Sequence, residues 1–217
     1  MTEAVRGGRP VPLGTRLAAV LAGRPGHGTG LARAVTELLA PANLAVGQLL
    51  LVGWHSTGDP AGLAWGLLAA TFCGLVPYGI VIAEVHRRRW TDRHLRLRRQ
   101  RPAPFLAAIA SVLAGLALLL ALDAPRPLVA LVVAMLTGLA TTLVVTLWWK
   151  LSVHTAAAAG TVAILALTFG PTLTLAFPAV ALVAWARVRL GDHTPAQTLT
   201  GAALGGLIAT TVFILLR

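Results

Sequence analysis

Seven apolar runs, separated by short polar stretches, dominate the chain from residue 41 to its end. They cover residues 41–56, 62–84, 103–122, 128–149, 155–169, 172–186 and 198–216. A helix that crosses a membrane needs about 20 apolar residues, and about 17 at the short end. The pattern therefore predicts an all-α polytopic membrane bundle of about six to seven transmembrane helices, in which the fifth and sixth runs are marginal in length.

Residues 1–40 differ from the rest of the chain, because glycines and prolines interrupt any long periodicity and arginines recur among them. They contain no compact apolar stretch that ends in a small-residue cleavage site, so we expect no cleavable signal peptide. Residues 11–22 are a candidate interfacial helix. The sequence thus divides into an N-terminal basic segment, 1–40, and a transmembrane domain, 41–217.

The turns between the runs predict which polar stretches share a membrane face. Gly170-Pro171 indicates a tight helical hairpin, with a re-entrant pair as the alternative, and the polar stretch 123–127 divides another hairpin. Either way the chain returns to the face it left. Three polar islands, residues 85–102, 150–154 and 187–197, are therefore separated by even numbers of crossings and are expected at one face.

Composition and charge agree with a membrane protein and argue against a nucleic-acid partner. The 217 residues are 57% hydrophobic and carry a formal net charge of +11, with a mean hydropathy of +0.79. The basic residues are nearly all arginines at the ends of apolar runs, which suits membrane topology, anionic head groups or a phosphate ligand. Cytoplasmic loops of membrane proteins carry an excess of arginine and lysine. Because the three islands hold much of the arginine, we expect them to lie at the cytoplasmic face of the cell membrane.

The third island carries ionisable side chains at the membrane edge, where such groups are costly and are usually functional. His193 directly precedes Thr194-Pro195, which predicts an N-cap and the first residue of a helix. The amide groups at such a helix start favour anions. We therefore expect Arg187 and His193 to form part of an anion site.

The other two islands supply further candidates. His154 suits general acid work near neutral pH, while the Ser152 hydroxyl is either a helix cap or a phosphate ligand. Lys150, the only lysine of the chain, lies beside them. In the first island Arg101, followed by a proline, suits bidentate contacts with phosphate oxygens.

Together the islands resemble the type 2 phosphatidic acid phosphatase superfamily. The third motif of that family is Ser-Arg, five residues, His, three residues and Asp. This chain has Arg187, five residues, His193, three residues and then Gln197 where the family has Asp. A glutamine can orient an imidazole but supplies no negative charge to it.

The first two motifs match less completely. The family has Pro-Ser-Gly-His, and here Ser152 and His154 match while Val153 replaces Gly. The family also has Lys, six residues and Arg-Pro, and here Arg101-Pro102 match while His94 stands at the Lys position. A histidine is a poorer cation than lysine, unless Lys150 takes over that role.

The resemblance implies a membrane-embedded hydrolase of a lipid phosphate or diphosphate, most simply polyprenyl. His193 would be the nucleophile, oriented by Gln197, and His154 would protonate the leaving alcohol. The phosphate would be held by the remaining motif positions, which are His94, Arg101, Lys150, Ser152, Val153 and Arg187.

Two other functions fit the same pattern. A prenyl diphosphate lyase or terpene cyclase needs cations to clamp the diphosphate but no phosphohistidine, and a lipid-phosphate binding or transport protein needs no turnover. Magnesium-dependent ionisation requires clustered carboxylates, and near the islands only Glu84, Asp92 and Asp192 occur. We therefore expect a metal-independent site without a cofactor, whose partners are the lipid substrate and membrane lipids.

Overall fold

The computed structural model describes residues 27–87 and 102–217, and all regular structure within these ranges is helical. We number the helices in chain order. They are α1 (His27–Leu38), α2 (Pro41–Thr57), α3 (Pro60–Ala70), α4 (Val76–His86), α5 (Pro102–Ala121), α6 (Arg126–Trp148), α7 (Val153–Phe169), α8 (Phe177–Arg189) and α9 (Pro195–Leu216). A π-helical segment, Thr71–Leu75, joins α3 to α4, and a 3-10 turn, Pro171–Ala176, precedes α8.

The described residues contain five stretches that are long and apolar enough to cross a membrane. They are Pro60–His86, Pro102–Ala121, Arg126–Trp148, Pro171–Arg189 and Pro195–Leu216. The pair α1 and α2 meets the same criteria of length and composition only when its two helices, which are bent by 40°, are taken as one span, and α7 is a shorter apolar helix of 17 residues. The predicted all-α membrane bundle is confirmed at this level, and the chain is an integral membrane protein.

The turn between α2 and α3 illustrates how the sequence ends one helix and begins the next. Gly58 adopts the left-handed conformation, φ 72°, which a residue without a Cβ adopts at low cost. Asp59 then caps α3, because its carboxylate accepts the backbone N–H groups of Ala61 and Gly62. A hydrogen bond from the Thr57 hydroxyl, together with these amides, holds the pKa of Asp59 below its usual range.

One end of the bundle is tied together by contacts between helix ends. The rings of His55 in α2 and Phe169 in α7 lie 4.8 Å apart. The Arg217 guanidinium donates to the Leu167 carbonyl over 2.6 Å. Since α7 reaches the same end as α2 and reverses at Gly170, the predicted helical hairpin is confirmed.

At the opposite end the second and third polar islands meet. The backbone N–H of Ser152 donates to the Gln197 carbonyl over 3.3 Å, and Lys150 Nζ donates to the Asp192 carbonyl over 2.6 Å. The prediction that the islands share one face is therefore confirmed for these two. Most of the first island, residues 88–101, lies outside the described residues.

Helix α1 packs against the transmembrane helices, although we expected its sequence to belong to a separate N-terminal segment. Ala32 and Val35 are buried in a cluster with Val183 of α8 and small residues of α7. The described part of the packed bundle therefore begins before the boundary predicted at residue 40. The candidate interfacial helix at 11–22 lies outside the described residues.

Glycines bring α2 and α3 into close backbone contact. A Cβ placed on Gly53 would lie 2.5 Å from the Gly62 carbonyl oxygen and 2.9 Å from the Gly66 nitrogen. Small residues at such crossings allow the van der Waals packing that drives helix association within membranes. The crossing therefore requires a residue without a side chain at position 53.

We expect Gly53→Ala to destabilise the protein and Gly47→Ala, on the same helix, to leave it unchanged or more stable. A Cβ on Gly47 meets nothing within 4 Å, so alanine there adds only helix propensity, worth about 0.5–1 kcal/mol. The clash at position 53 should cost about 1–3 kcal/mol. Thermal unfolding in one detergent measures both variants, and equal unfolding temperatures would contradict the close crossing.

Candidate functional site

A cavity of about 330 Å³ begins where the second and third islands meet and continues between the helices. Its polar end is lined by His154, Arg187 and His193, whereas most of its wall is apolar. Along α7 the lining extends from Val153 to Ile164, twelve residues whose eleven steps of 1.5 Å cover roughly 16 Å. This length is about half of the ~30 Å hydrocarbon core of a bilayer.

The end of α8 positions His193 beside Arg187. The backbone N–H groups of Asp192 and His193 both donate to the Arg187 carbonyl, over 3.1 Å and 3.3 Å. Gly191 adopts φ 70° within this turn, a conformation that glycine adopts without strain. The reversal folds the loop back on the helix end, so that Arg187 and His193 both reach the cavity.

Gln197 fixes the orientation of the His193 ring through the cap of α9. Thr194 is the N-cap and Pro195 the first helical residue, as predicted, and Thr194 and Gln197 form a reciprocal capping box. Gln197 Oε1 accepts the Thr194 backbone N–H over 3.2 Å and lies 3.2 Å from His193 Nδ1. Because that oxygen only accepts, a hydrogen bond at this contact requires a proton on Nδ1, which leaves Nε2 as the ring nitrogen that does not contact Gln197.

The Arg187 guanidinium is buried beside a carboxylate. Its Nη1 lies 3.1 Å from Asp192 Oδ2, and the two side chains are only 1% and 5% exposed. Two charges removed from water need each other, because either one alone would retain its full desolvation cost. The pair holds Arg187 at the cavity while it reduces the net positive charge there.

The second island contributes two residues to the cavity wall and two to its support. Val153 and His154 line the cavity. Ser152 is fully buried and caps α7, since its hydroxyl accepts the Thr155 backbone N–H over 3.5 Å. Of the two expectations for this hydroxyl, helix cap and phosphate ligand, the geometry therefore favours the cap.

Close packing of α9 against α7 brings the two islands together. A Cβ on Gly201 would lie 2.6 Å from both the Ser152 carbonyl oxygen and the Thr155 hydroxyl. A Cβ on Gly205 would meet the backbone of Ala156. Only glycine allows this approach, which places the loop containing His193 against the start of α7.

The predicted site residues thus fall into three groups. His154, Val153, Arg187 and His193 line one cavity, with Gln197 bonded to His193. Lys150 and Ser152 lie next to this group and outside the cavity lining, where Lys150 joins the loops through the Asp192 carbonyl. His94 and Arg101 lie outside the described residues.

Sequence reasoning missed several polar residues of the site. Glu37, Gln48 and Thr161 line the cavity, and Asp192, noted only as one of the scattered carboxylates, is the partner of Arg187. The available signal was a polar residue inside an apolar run, as at positions 48 and 161. Over residues 27–87 and 102–217, no three His, Cys, Asp or Glu side chains converge as metal ligands would.

Comparisons with known proteins do not assign a family to this chain. No protein-family model matches it, and no curated protein or solved structure matches it significantly. The resemblance to the phosphatase superfamily therefore depends on the motif residues themselves.

The buried ion pair predicts a non-additive effect on stability. Arg187→Met and Asp192→Leu should each destabilise the protein by about 3–5 kcal/mol, because each removes the opposite charge that lies 3.1 Å from the remaining buried charge. The double substitution should cost much less than the sum of the two. Unfolding of all four proteins in the same detergent provides this double-mutant cycle. Additive losses would show that the two side chains do not interact.

Proposed function

We propose that this protein is a membrane-embedded hydrolase of a lipid phosphate or diphosphate, with a polyprenyl chain as the preferred tail. The observation that carries the proposal is the cavity, which has two histidines and an arginine at one end and mostly apolar walls along the rest, with Glu37, Gln48, Thr142 and Thr161 among its other polar lining residues. Such a cavity suits an amphiphile with an anionic head. The order of the motif residues in the chain supports a mechanism like that of the type 2 phosphatidic acid phosphatases.

In the proposed first step, Nε2 of His193 attacks the phosphorus atom. A nitrogen–phosphorus bond forms, the bond from phosphorus to the leaving oxygen breaks, and His154 transfers its proton to that oxygen. The lipid alcohol, or a lipid monophosphate from a diphosphate, then leaves. In the second step His154 removes a proton from water, the resulting hydroxide attacks phosphorus, and inorganic phosphate is released from His193.

The cations of the site would bind the phosphoryl oxygens. Arg187 is held at the cavity by the carboxylate of Asp192. The guanidinium group of Arg187 is therefore oriented before a substrate enters. The resemblance adds Arg101 and His94 from the first island. Lys150 supports the loop containing His193 through the Asp192 carbonyl, and this position next to the cavity suits a supplementary cation.

The arginines flanking the islands support a site at the cytoplasmic face of the cell membrane, because cytoplasmic loops carry the excess of arginine and lysine. A substrate made in the cytosol, such as a prenyl diphosphate, would reach this face directly. Its tail would remain among apolar side chains while its head meets Arg187 and the two histidines.

The first test is phosphate release from prenyl phosphates by the purified protein in the presence of EDTA. His193→Gln should lower the rate at least about 1000-fold, since it removes the attacking atom. The matched control is His55→Gln, which removes a histidine at the opposite end of the bundle and should leave the rate unchanged.

Product analysis by mass spectrometry distinguishes the three functions. A prenyl alcohol together with phosphate supports hydrolysis, a cyclic hydrocarbon indicates a lyase or cyclase, and saturable binding without turnover indicates a binding protein. If His193→Gln hydrolyses the substrate at the rate of the native protein, the proposed mechanism is wrong.

The second test concerns the charge that Gln197 lacks. Gln197→Glu has nearly the same shape, retains the capping box with Thr194, and adds a negative charge beside the imidazole that becomes cationic on attack. We expect kcat to rise about ten-fold, which corresponds to ~1.4 kcal/mol. Gln197→Leu should lower it, because the ring loses its orienting acceptor. An unchanged or lower kcat in a folded Gln197→Glu protein would contradict this role.

A further inference from the structure

Two buried polar side chains face the apolar part of the cavity. Gln48 in α2 and Thr161 in α7 are 8% and 7% exposed, and both line the cavity. Gln48 Oε1 and Thr161 Oγ1 have no hydrogen-bond partner among the described residues. A polar group buried in this way carries a free-energy cost that a partner would remove.

The two side chains lie at the same level of the bundle. Helices α2 and α7 run in the same direction, and their far ends meet at the contact of His55 with Phe169. His55 follows Gln48 by seven residues, and Phe169 follows Thr161 by eight. At 1.5 Å per residue, Gln48 and Thr161 therefore both lie roughly 10–12 Å along the helix axes from the contact between His55 and Phe169. They therefore face one segment of the cavity from two adjacent helices.

Thr161 differs in its bonding from Thr142 of α6 and Thr168 of α7. Thr36 and Thr146 are also buried without a hydrogen-bond partner among the described residues, but neither lines the cavity. Thr142 donates its hydroxyl to the Gly138 carbonyl over 2.7 Å, and Thr168 donates to the Ile164 carbonyl over 2.8 Å. This bond within the helix is the usual way to satisfy a threonine hydroxyl surrounded by apolar groups. Thr161 makes no such bond within the described residues, so its hydroxyl can bond to a group in the cavity.

We propose that Gln48 and Thr161 form a polar subsite that binds a hydroxyl group on the tail of the lipid. One hydroxyl satisfies both side chains, because it donates to Gln48 Oε1 and accepts from the Thr161 hydroxyl. The distance from the head follows from α7, where His154 precedes Thr161 by seven residues, or roughly 10 Å. This inference depends on the proposed function for the placement of the phosphate at Arg187 and the histidines.

Among lipid phosphates that share the same kind of tail, the subsite favours one whose tail carries a single hydroxyl about 10 Å from the phosphate, by the rise of α7. The rest of the wall is mostly apolar, and the hydroxyl of Thr142, one of its few polar residues, is already bonded within α6. A tail without a hydroxyl would still fit the cavity but would leave both side chains unsatisfied. The hydroxyl should therefore improve affinity at one position of the tail and weaken it at the others.

The test uses straight-chain alkyl phosphonates, whose carbon–phosphorus bond resists hydrolysis, so binding is measured independently of turnover. Each probe carries one hydroxyl at a different position along the chain, and the parent carries none. The dissociation constants for the purified full-length protein in lipid nanodiscs are measured by calorimetry. We expect the probe with its hydroxyl about 10 Å from phosphorus, as the helix rise implies, to bind about five-fold more tightly than the parent.

The variants are Gln48→Leu and Thr161→Val, which replace the unpartnered groups with apolar groups of similar size and should fold normally. In each variant the ratio of the dissociation constants of the parent and hydroxylated probes should fall from about five to about one. Each variant should bind the parent probe at least as tightly as the native protein does. The matched control is Thr142→Val. Thr142 also lines the cavity, but its hydroxyl already has a partner in its own helix, so the preference should persist.

The outcomes separate this inference from the proposed function. If the phosphonates bind in a manner that depends on Arg187, but the hydroxylated and parent probes bind with equal affinity, the subsite is overturned and the proposed hydrolysis stands. If Gln48→Leu and Thr161→Val abolish the preference for the hydroxylated probe, the subsite is supported. If the native protein also releases no phosphate from any prenyl phosphate, hydrolysis is overturned while the subsite stands. A preference that survives both substitutions overturns the subsite, and a failure of every probe to bind overturns both proposals.

Discussion

A guanidinium group held at the edge of hydrocarbon is the constraint on which this site depends. Arg187 is 1% exposed, and a charge so far from water is tolerated only when nearby groups compensate for it. Asp192 supplies the opposite charge. The turn that delivers Asp192 also delivers His193, because both backbone N–H groups bond to the Arg187 carbonyl. Stabilisation of the arginine and placement of the histidine are therefore achieved by the same turn.

The glycines of α9 extend this arrangement to the second island. Because Gly201 brings the backbone of α9 against Ser152 and Thr155, the start of α7 lies beside the third island, and His154 reaches the same cavity as His193. Ala156 and Gly205, where the backbones of α7 and α9 meet, also line the cavity. A bundle of small residues can therefore combine tight packing with a cavity long enough for one lipid tail.

Membrane physics explains why the sequence predicted the helices so well. A transmembrane helix must be apolar over a minimum length, and its ends need Gly, Pro or capping residues. The seven apolar runs and the chain reversal at Gly170 could therefore be predicted from the sequence. The shared face of the islands followed from the parity of the crossings. The packing of α1 was missed because its sequence is rich in glycine and polar residues, and its contacts with α7 and α8 arise only in the tertiary structure.

The site was predictable in its residue types but less so in its contacts. Arg187 and His193 were expected because they are ionisable groups at the membrane edge, and the resemblance to the phosphatase superfamily added Gln197. The two expected roles of the Ser152 hydroxyl, helix cap and phosphate ligand, could not be distinguished from the sequence, because they differ only in the neighbours that the fold provides. The pairing of Asp192 with Arg187 depends on the turn between them. Gln48 and Thr161 are far apart in the chain, and only the parallel course of α2 and α7 places them at one level.

The most direct test of the central claim is to trap the proposed covalent intermediate. The protein would be mixed with a ³²P-labelled prenyl phosphate, quenched in alkali, under which phosphohistidine persists, and digested for mass spectrometry. The account predicts label on His193, lost in His193→Gln and retained in His55→Gln. Release of labelled phosphate without any labelled histidine, or label on a different residue, would contradict it.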